Sequence, residues 1–310
     1  MSRYRNVALF VALAAVWGSA FMAIKVGLEY FPPVLFAAIR YDIAGVLMLG
    51  YAAYATDRWR PRTRGEWQLV LVGATLLIAG YHAFLFVGEG YDGVTSAVAA
   101  VVVSLSPVLT TGFARALLPS ERLTPAGVAG LLLGLVGVVV LSNPDPNNLV
   151  TSSMVGKGLV FAAAASFALG SVLTRRIDAE LPIETMEAWS MVLGAVLMHV
   201  ASVARPSESL AMVRWTPEAL WALAYLSIAA SALGFLVYFD LLDRLGPIEI
   251  NLVSYVAPVF AAVSGWWFLG EGIDLTTVAG FLVIFAGFCL LKRDALAREL
   301  PKLRAAVTRQ

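Results

Sequence analysis

Few side chains in this 310-residue chain could do chemistry, and most of those lie within long apolar runs. An ionisable group there costs about 2.5 to 3.5 kcal/mol near the bilayer centre by insertion scales, so each one calls for a partner or a task. Arg40 lies seven residues after Pro33, about 10 Å into its run at 1.5 Å per residue. Its planar fork suits a substrate carboxylate, or it ties helices together by pairing with Glu29, Glu89 or Asp92. His82 follows Tyr81, and Glu89 lies one heptad further on the same helical face. A histidine at that depth either exchanges a proton or hydrogen-bonds a ligand, or it bonds a neighbouring helix. Trp17, Phe21 and Lys25 recur at helical spacing. Trp17 is too deep for the aromatic belt of the interface, so it lines a cavity or a helix contact. Lys25 and Arg175 lie near run ends, where long stems reach the interface. Glu187 reads as interfacial too.

Pro107 and Pro258 fall near mid-depth of two corresponding runs. A proline removes one main-chain hydrogen bond and displaces the carbonyl four residues earlier, here those of Val103 and Ser254. Freed carbonyls persist in a membrane only where protein, water or ligand satisfies them. Ser104, Ser106, Asn251, Ser254 and Tyr255 cluster around them as a polar patch, with Tyr238, Ser166 and Ser171 at similar depth in other runs. Two prolines in matching positions suggest paired bends around a shared cavity.

The elements that position these residues are membrane helices. The composition is 60% hydrophobic and 14% charged, with a mean hydropathy of +0.81. A soluble domain carries about a quarter charged residues. A spanning helix needs about 20 mostly apolar residues. Ten such stretches fit, near 7 to 28, 33 to 55, 66 to 87, 93 to 117, 125 to 142, 156 to 177, 183 to 204, 217 to 242, 247 to 270 and 275 to 292. The chain also repeats at an offset of 150: Ala14-Ala15 matches Ala164-Ala165, Lys25 matches Arg175, Pro32 matches Pro182, and Ala129-Gly130 matches Ala279-Gly280. Each copy holds five helices, an odd number, so the second runs inverted. The expected fold is therefore an all-α membrane protein of ten transmembrane helices, with five-helix repeats over 6–142 and 156–293 and a basic tail over 294–310. Inverted repeats are a recurring design of secondary transporters, with the site near the midplane.

Arginine and lysine crowd one side: Arg3 and Arg5, then Arg58, Arg60, Arg62 and Arg64, then Arg175, Arg176 and Arg244, then the tail from Lys292. The other side receives Lys157, Arg205 and Arg214. By the positive-inside rule both termini face the cytoplasm, in a cell or inner membrane. The net charge of +1 averages this sidedness and gives no reason to expect a nucleic-acid partner; the partners expected are a small-molecule substrate and the lipid bilayer. The single cysteine, Cys289, excludes an intrachain disulfide. Two histidines make no metal cluster alone, and no cofactor is expected. Gly156-Lys157-Gly158 lacks the rest of a phosphate-binding loop, and there is no G-x-S-x-G elbow or H-E-x-x-H helix. An intramembrane enzyme such as a lipid-modifying transferase needs a compact acid/base or metal constellation, and the sequence offers none. Gly130 and Gly134 form a small-residue contact face, within one chain or between two, so the chain is expected as a monomer or weak homodimer.

Several motifs carry a resemblance. Trp17-Gly18-Ser19 with Lys25, Pro33 with Arg40, Ser106-Pro107-Val108 leading to Glu121-Arg122-Leu123-Thr124, and Ala257-Pro258-Val259 leading to Leu269-Gly270-Glu271 resemble the EamA-type ten-helix branch of the drug/metabolite transporter superfamily. The resemblance covers nearly the whole chain. It implies a secondary carrier of amino acids and other small metabolites, commonly an exporter, with a central cavity between the repeats. Trp17 together with Tyr81-His82 resembles the YddG-type exporters of aromatic amino acids. On that expectation Trp17, Tyr81, Tyr238 and Tyr255 offer aromatic surface to the substrate, and His82, Ser104, Asn251 and Arg40 offer polar contacts. Pro107 and Pro258 are the hinges of an alternating-access cycle. Import or exchange of sugars, nucleotides or cationic drugs is the other transport reading. Asp240 departs from the related pattern, which usually has an uncharged residue there.

Overall fold

The computed structural model describes residues 2–118, 124–144, 150–246, 250–291 and 293. Glu121-Arg122-Leu123 of the first proline-to-glutamate motif and the tail over 294–310 lie outside them.

The described residues form ten long helical segments: α1 Ser2–Leu28, α2 Pro33–Ala55, α3 Arg64–Glu89, α4 Ser96–Leu117, α5 Pro125–Ser142, α6 Ser152–Arg176, α7 Ile183–Val203, α8 Pro217–Leu245, α9 Val253–Leu269 and α10 Leu275–Leu291. Eight of them are at least 18 residues long and apolar enough to cross a membrane. As described, α9 and α10 have 17 residues each, and helical Ile250 and Asn251 precede α9 across a turn at Leu252. The chain is a multi-pass membrane protein.

Local sequence sets the helix starts. Threonine caps five of them, Thr63, Thr95, Thr124, Thr151 and Thr216, each side chain accepting from a main-chain N–H three residues on. The threonine oxygen satisfies a donor that the first helical turn leaves orphaned. At α3 the Glu66 carboxylate reciprocates by accepting from the Thr63 N–H at 3.1 Å, which completes a capping box. Helices α2 and α7 each follow a proline, Pro32 and Pro182, at the repeat offset.

Packing follows the repeat. Helix α5 lies along α10, and α2 along α7; α1 packs on α9 and α8, as its counterpart α6 packs on α4 and α3. Each helix thus finds its main partner in the other copy, and the two repeats interlock. The small residues foreseen as a contact face are used within the chain. A Cβ on Gly130 would stand 2.6 Å from the Gly287 carbonyl of α10, and one on Gly287 2.7 Å from the Gly130 carbonyl. Only glycines let the two backbones come that close.

Four helices are irregular, in two symmetric pairs. Helix α3 carries a π segment over Gly73–Gly80, and α8 carries one over Tyr225–Leu233. Helix α4 breaks at Ser104–Leu105, between Ser96–Val103 and Ser106–Leu117, where α9 is preceded by its turn at Leu252. The wider winding of a π segment puts carbonyls out of register, and such segments occur frequently at functional sites.

Candidate functional site

Several of the residues singled out in the sequence lie on or against the irregular helices α3, α4, α8 and α9. The π segment of α8 is where two groups of them meet. Trp17 of α1 donates its indole Nε1 to the Ala230 carbonyl at 3.0 Å. Its ring lies against Tyr238, with centroids 5.4 Å apart, and Phe235, at 5.8 Å. This contact needs Gly234, where a Cβ would stand 2.7 Å from the Trp17 nitrogen. Gly18 does the same for the neighbouring helix: a Cβ there would meet the Ala257 carbonyl at 2.3 Å, which brings α1 against α9 beside Pro258.

One residue further along the π segment, the Ser231 hydroxyl takes a hydrogen bond from Arg40 Nε at 3.0 Å. The Arg40 guanidinium is buried and lies over the Tyr41 ring, 5.1 Å from its centroid, and near Phe86 at 5.8 Å. It makes no ion pair among the described residues, so the expected pairing with Glu29, Glu89 or Asp92 is replaced by a hydroxyl and two aromatic faces. Beside it, His82 is fixed at both nitrogens. Nδ1 lies 2.9 Å from the Ile78 carbonyl, and Nε2 lies 2.7 Å from the Tyr41 hydroxyl. A carbonyl can only accept, so Nδ1 carries the hydrogen and Nε2 receives one from Tyr41. Tyr81 stands edge-on to His82 at 4.5 Å and against Phe167 at 5.5 Å.

Trp17, its ring against that of Tyr238, and Arg40 thus bond successive residues of α8, while His82, with Tyr81 edge-on to it, is tied to Tyr41 beside Arg40. The other predicted residues are placed differently. Ser104 is fully buried, and its hydroxyl donates to the Val101 carbonyl at 2.6 Å. Tyr255 is buried against Phe288 and Phe285 of α10, with centroids at 4.5 and 5.5 Å. Asn251 is exposed. Pro107 begins the second half of α4, and the Ser106 hydroxyl donates to the freed Val103 carbonyl at 2.7 Å. Pro258 is buried within α9.

Two polar residues differ from their expected settings. Lys25 turns inward, and its ammonium donates to the Val94 carbonyl at 2.5 Å and the Glu89 carbonyl at 3.2 Å. Glu187 is buried rather than interfacial. Asp240, the departure from the family pattern, pairs with Arg244 one turn on at 2.6 Å. Tyr41 and Ser231 were not foreseen. Tyr41 neighbours Arg40 in an aromatic-rich run and carried no separate signal, and the value of Ser231 comes from a partner 191 residues away. Two surface clefts, of about 440 and 600 Å³, lie at helix ends. The first is lined in part by Lys157 and Asp274 and the second by Gln68 and Arg176, and neither contains a predicted site residue.

The chain is similar to several membrane proteins along almost its full length. It is 28% identical to the uncharacterized transporter YvbV of Bacillus subtilis (strain 168), over 96% of this chain and 95% of that protein. It is 29% identical to the uncharacterized inner membrane transporter YedA of Escherichia coli (strain K12), over 90% and 88%. It is 28% identical to a probable amino-acid metabolite efflux pump of Salmonella typhimurium (strain LT2), over 90% and 92%. A crystal structure with 24% identity superposes with a TM-score of 0.66 over 96% of this chain and 99% of the other, which shows a shared fold. The EamA-like transporter family matches twice, over residues 5–143 and 154–293, one match for each five-helix repeat. The chain belongs to the EamA-like transporter family, and it is a transporter of that type.

Proposed function

We propose that this transporter exports amino acids, aromatic ones included, and related small metabolites across the cytoplasmic membrane by alternating access. The observation that carries the reading is the buried guanidinium of Arg40, which has no ion pair among the described residues and lies beside the Tyr41 and Phe86 rings. An unpaired buried charge is costly, and a substrate carboxylate supplies the missing anion in bidentate geometry. Trp17 and Tyr238 then lie against an apolar or aromatic side chain, and Tyr81 and His82 line the same space. Ser104, Asn251 and Tyr255 complete the polar and aromatic lining when the helices move. Helices of both repeats, 6–142 and 156–293, make up the bundles that rock, with Pro107 and Pro258 as hinges and both termini in the cytoplasm. Similarity to a probable amino-acid metabolite efflux pump supports the substrate class and direction.

The test is efflux from proteoliposomes loaded with labelled phenylalanine, tryptophan, threonine and, as a control, glucose. Amino-acid efflux above that from protein-free vesicles is expected. Absence of flux for every amino acid tried, or equal flux of glucose, overturns the reading.

A further inference from the structure

Among the described residues Glu89 is the carboxylate whose two oxygens are both fully enclosed without a hydrogen bond. It is the last residue of α3 and is 1% exposed. The buried Ser96 hydroxyl at the start of α4 is also unpartnered. Glu271, just beyond α9, closes the same region, its carboxylate accepting from the Ser96 N–H at 2.9 and 3.1 Å. The charged groups acting on Glu89 are Lys25 of α1, Glu271 and Arg40 of α2, with Tyr81 also within electrostatic reach on its own helix. Lys25 offers no direct salt bridge, because its ammonium is held by the Glu89 and Val94 main-chain carbonyls. Thus α1, α3, α4 and the end of α9 meet at a carboxylate with open acceptor sites.

Resting on the exporter reading above, we propose that Glu89 is the proton-carrying site that couples transport to the proton gradient. A proton needs a single lone pair, which Glu89 offers. A metal cation needs several oxygen ligands at once, yet Lys25 already occupies two nearby carbonyls, and its charge opposes a second cation. His82 is the poorer carrier, since both its ring nitrogens are engaged. In one cycle a proton from outside forms an O–H bond on a Glu89 oxygen, removing the buried charge. With both termini in the cytoplasm Glu89 lies at the outer end of α3, so release requires water of the inward-open cavity to reach that depth; the O–H bond then breaks and that water receives the proton. Helices α1, α3, α4 and α9 all take part in the site, and α4 and α9 are the interrupted ones, so the charge state of Glu89 bears on their packing.

Two measurements separate this proposal from the exporter reading. The first needs no substrate: infrared difference spectra of the purified carrier across a pH titration should show a protonated-carboxyl C=O band that is missing in Glu89→Gln and present, shifted, in Glu89→Asp. The second uses proteoliposomes with the membrane potential clamped. There a gradient of about one pH unit drives up to a tenfold concentration ratio for one-for-one exchange. Glu89→Gln should bring that ratio to one while labelled-for-unlabelled amino-acid exchange continues, and Glu89→Asp should restore a response. A wild-type spectrum without the band, a Glu89→Gln carrier that still builds the ratio, or a ratio driven by Na⁺ instead of protons overturns the proposal. Lack of any amino-acid flux with the band intact overturns the exporter reading alone.

Discussion

Trp17 reaches from the first repeat into the second, its indole Nε1 donating to the Ala230 carbonyl at 3.0 Å. The mirror relation exists in the other copy, where the Ser166 hydroxyl of α6 donates to the Leu76 carbonyl of α3 at 2.8 Å. In each case the first helix of one repeat bonds a carbonyl in the π segment of the third helix of the other. The π segments are therefore cross-repeat contact points, and any motion that separates the repeats there has to break these bonds.

Trp17→Phe keeps a ring and removes the donor. Interhelical hydrogen bonds in membranes average about 0.6 kcal/mol, with a maximum near 1.7. The expected loss is at the upper end, because the Ala230 carbonyl has left the regular helical register. Ser166→Ala should cost less. Urea or thermal unfolding in detergent measures both, and equal stability of wild type and Trp17→Phe contradicts a role for this bond.

Gly234→Ala tests whether the indole position matters for flux. The added methyl would stand 2.7 Å from Trp17 Nε1, so the indole must shift away from Ala230 and Tyr238. Overpacking of this kind costs about 1 to 3 kcal/mol. Initial efflux of aromatic amino acids should fall several-fold, while Gly50→Ala, with nothing within 4 Å, leaves it unchanged. Equal rates for the two variants would place substrate elsewhere.

Much of this architecture is legible in the residues. The 150-residue offset and the apolar runs give ten helices in two copies, and the paired prolines mark where α4 breaks and where α9 follows a turn. The π segments were not legible, since neither Gly73–Gly80 nor Tyr225–Leu233 contains a proline or a distinctive spacing. Two of their carbonyls, Leu76 and Ala230, take side-chain donors from the other repeat, and those partners exist only in the folded chain. Lys25 shows the same limit. Its position near a helix end predicts interfacial solvation, but acceptors 64 and 69 residues away draw it inward. Arg40 stood out as costly in the sequence, whereas its hydroxyl partner could be found only in three dimensions.

The break in α4 allows a paired test. Ser106 donates to the Val103 carbonyl that Pro107 leaves free, so Ser106→Ala should destabilise the carrier by about 1 kcal/mol, the usual loss for a removed hydrogen bond. Pro107→Ala restores a main-chain N–H that can bond the same carbonyl. It should raise the unfolding midpoint and cancel the effect of Ser106→Ala in the double variant. If Pro107 is a hinge, its alanine variant transports more slowly despite being more stable. Unchanged turnover assigns the break to packing alone.

Arg40 offers the sharpest test of substrate chemistry. Arg40→Lys keeps the charge but loses the planar fork and the Nε bond to Ser231, and the two side chains are not interchangeable at a bidentate site. Apparent KM for amino acids should rise about tenfold or more, the equivalent of roughly 1.4 kcal/mol of lost binding. Arg40→Gln should raise it further. Competition separates charge recognition from general damage: phenylalanine should inhibit wild-type efflux strongly, and phenethylamine, which lacks the carboxylate, weakly. In Arg40→Gln the two inhibitors should become nearly equal. If wild type does not distinguish them, the guanidinium does not bind the carboxylate, and its contacts with Ser231, Tyr41 and Phe86 are the whole of its role.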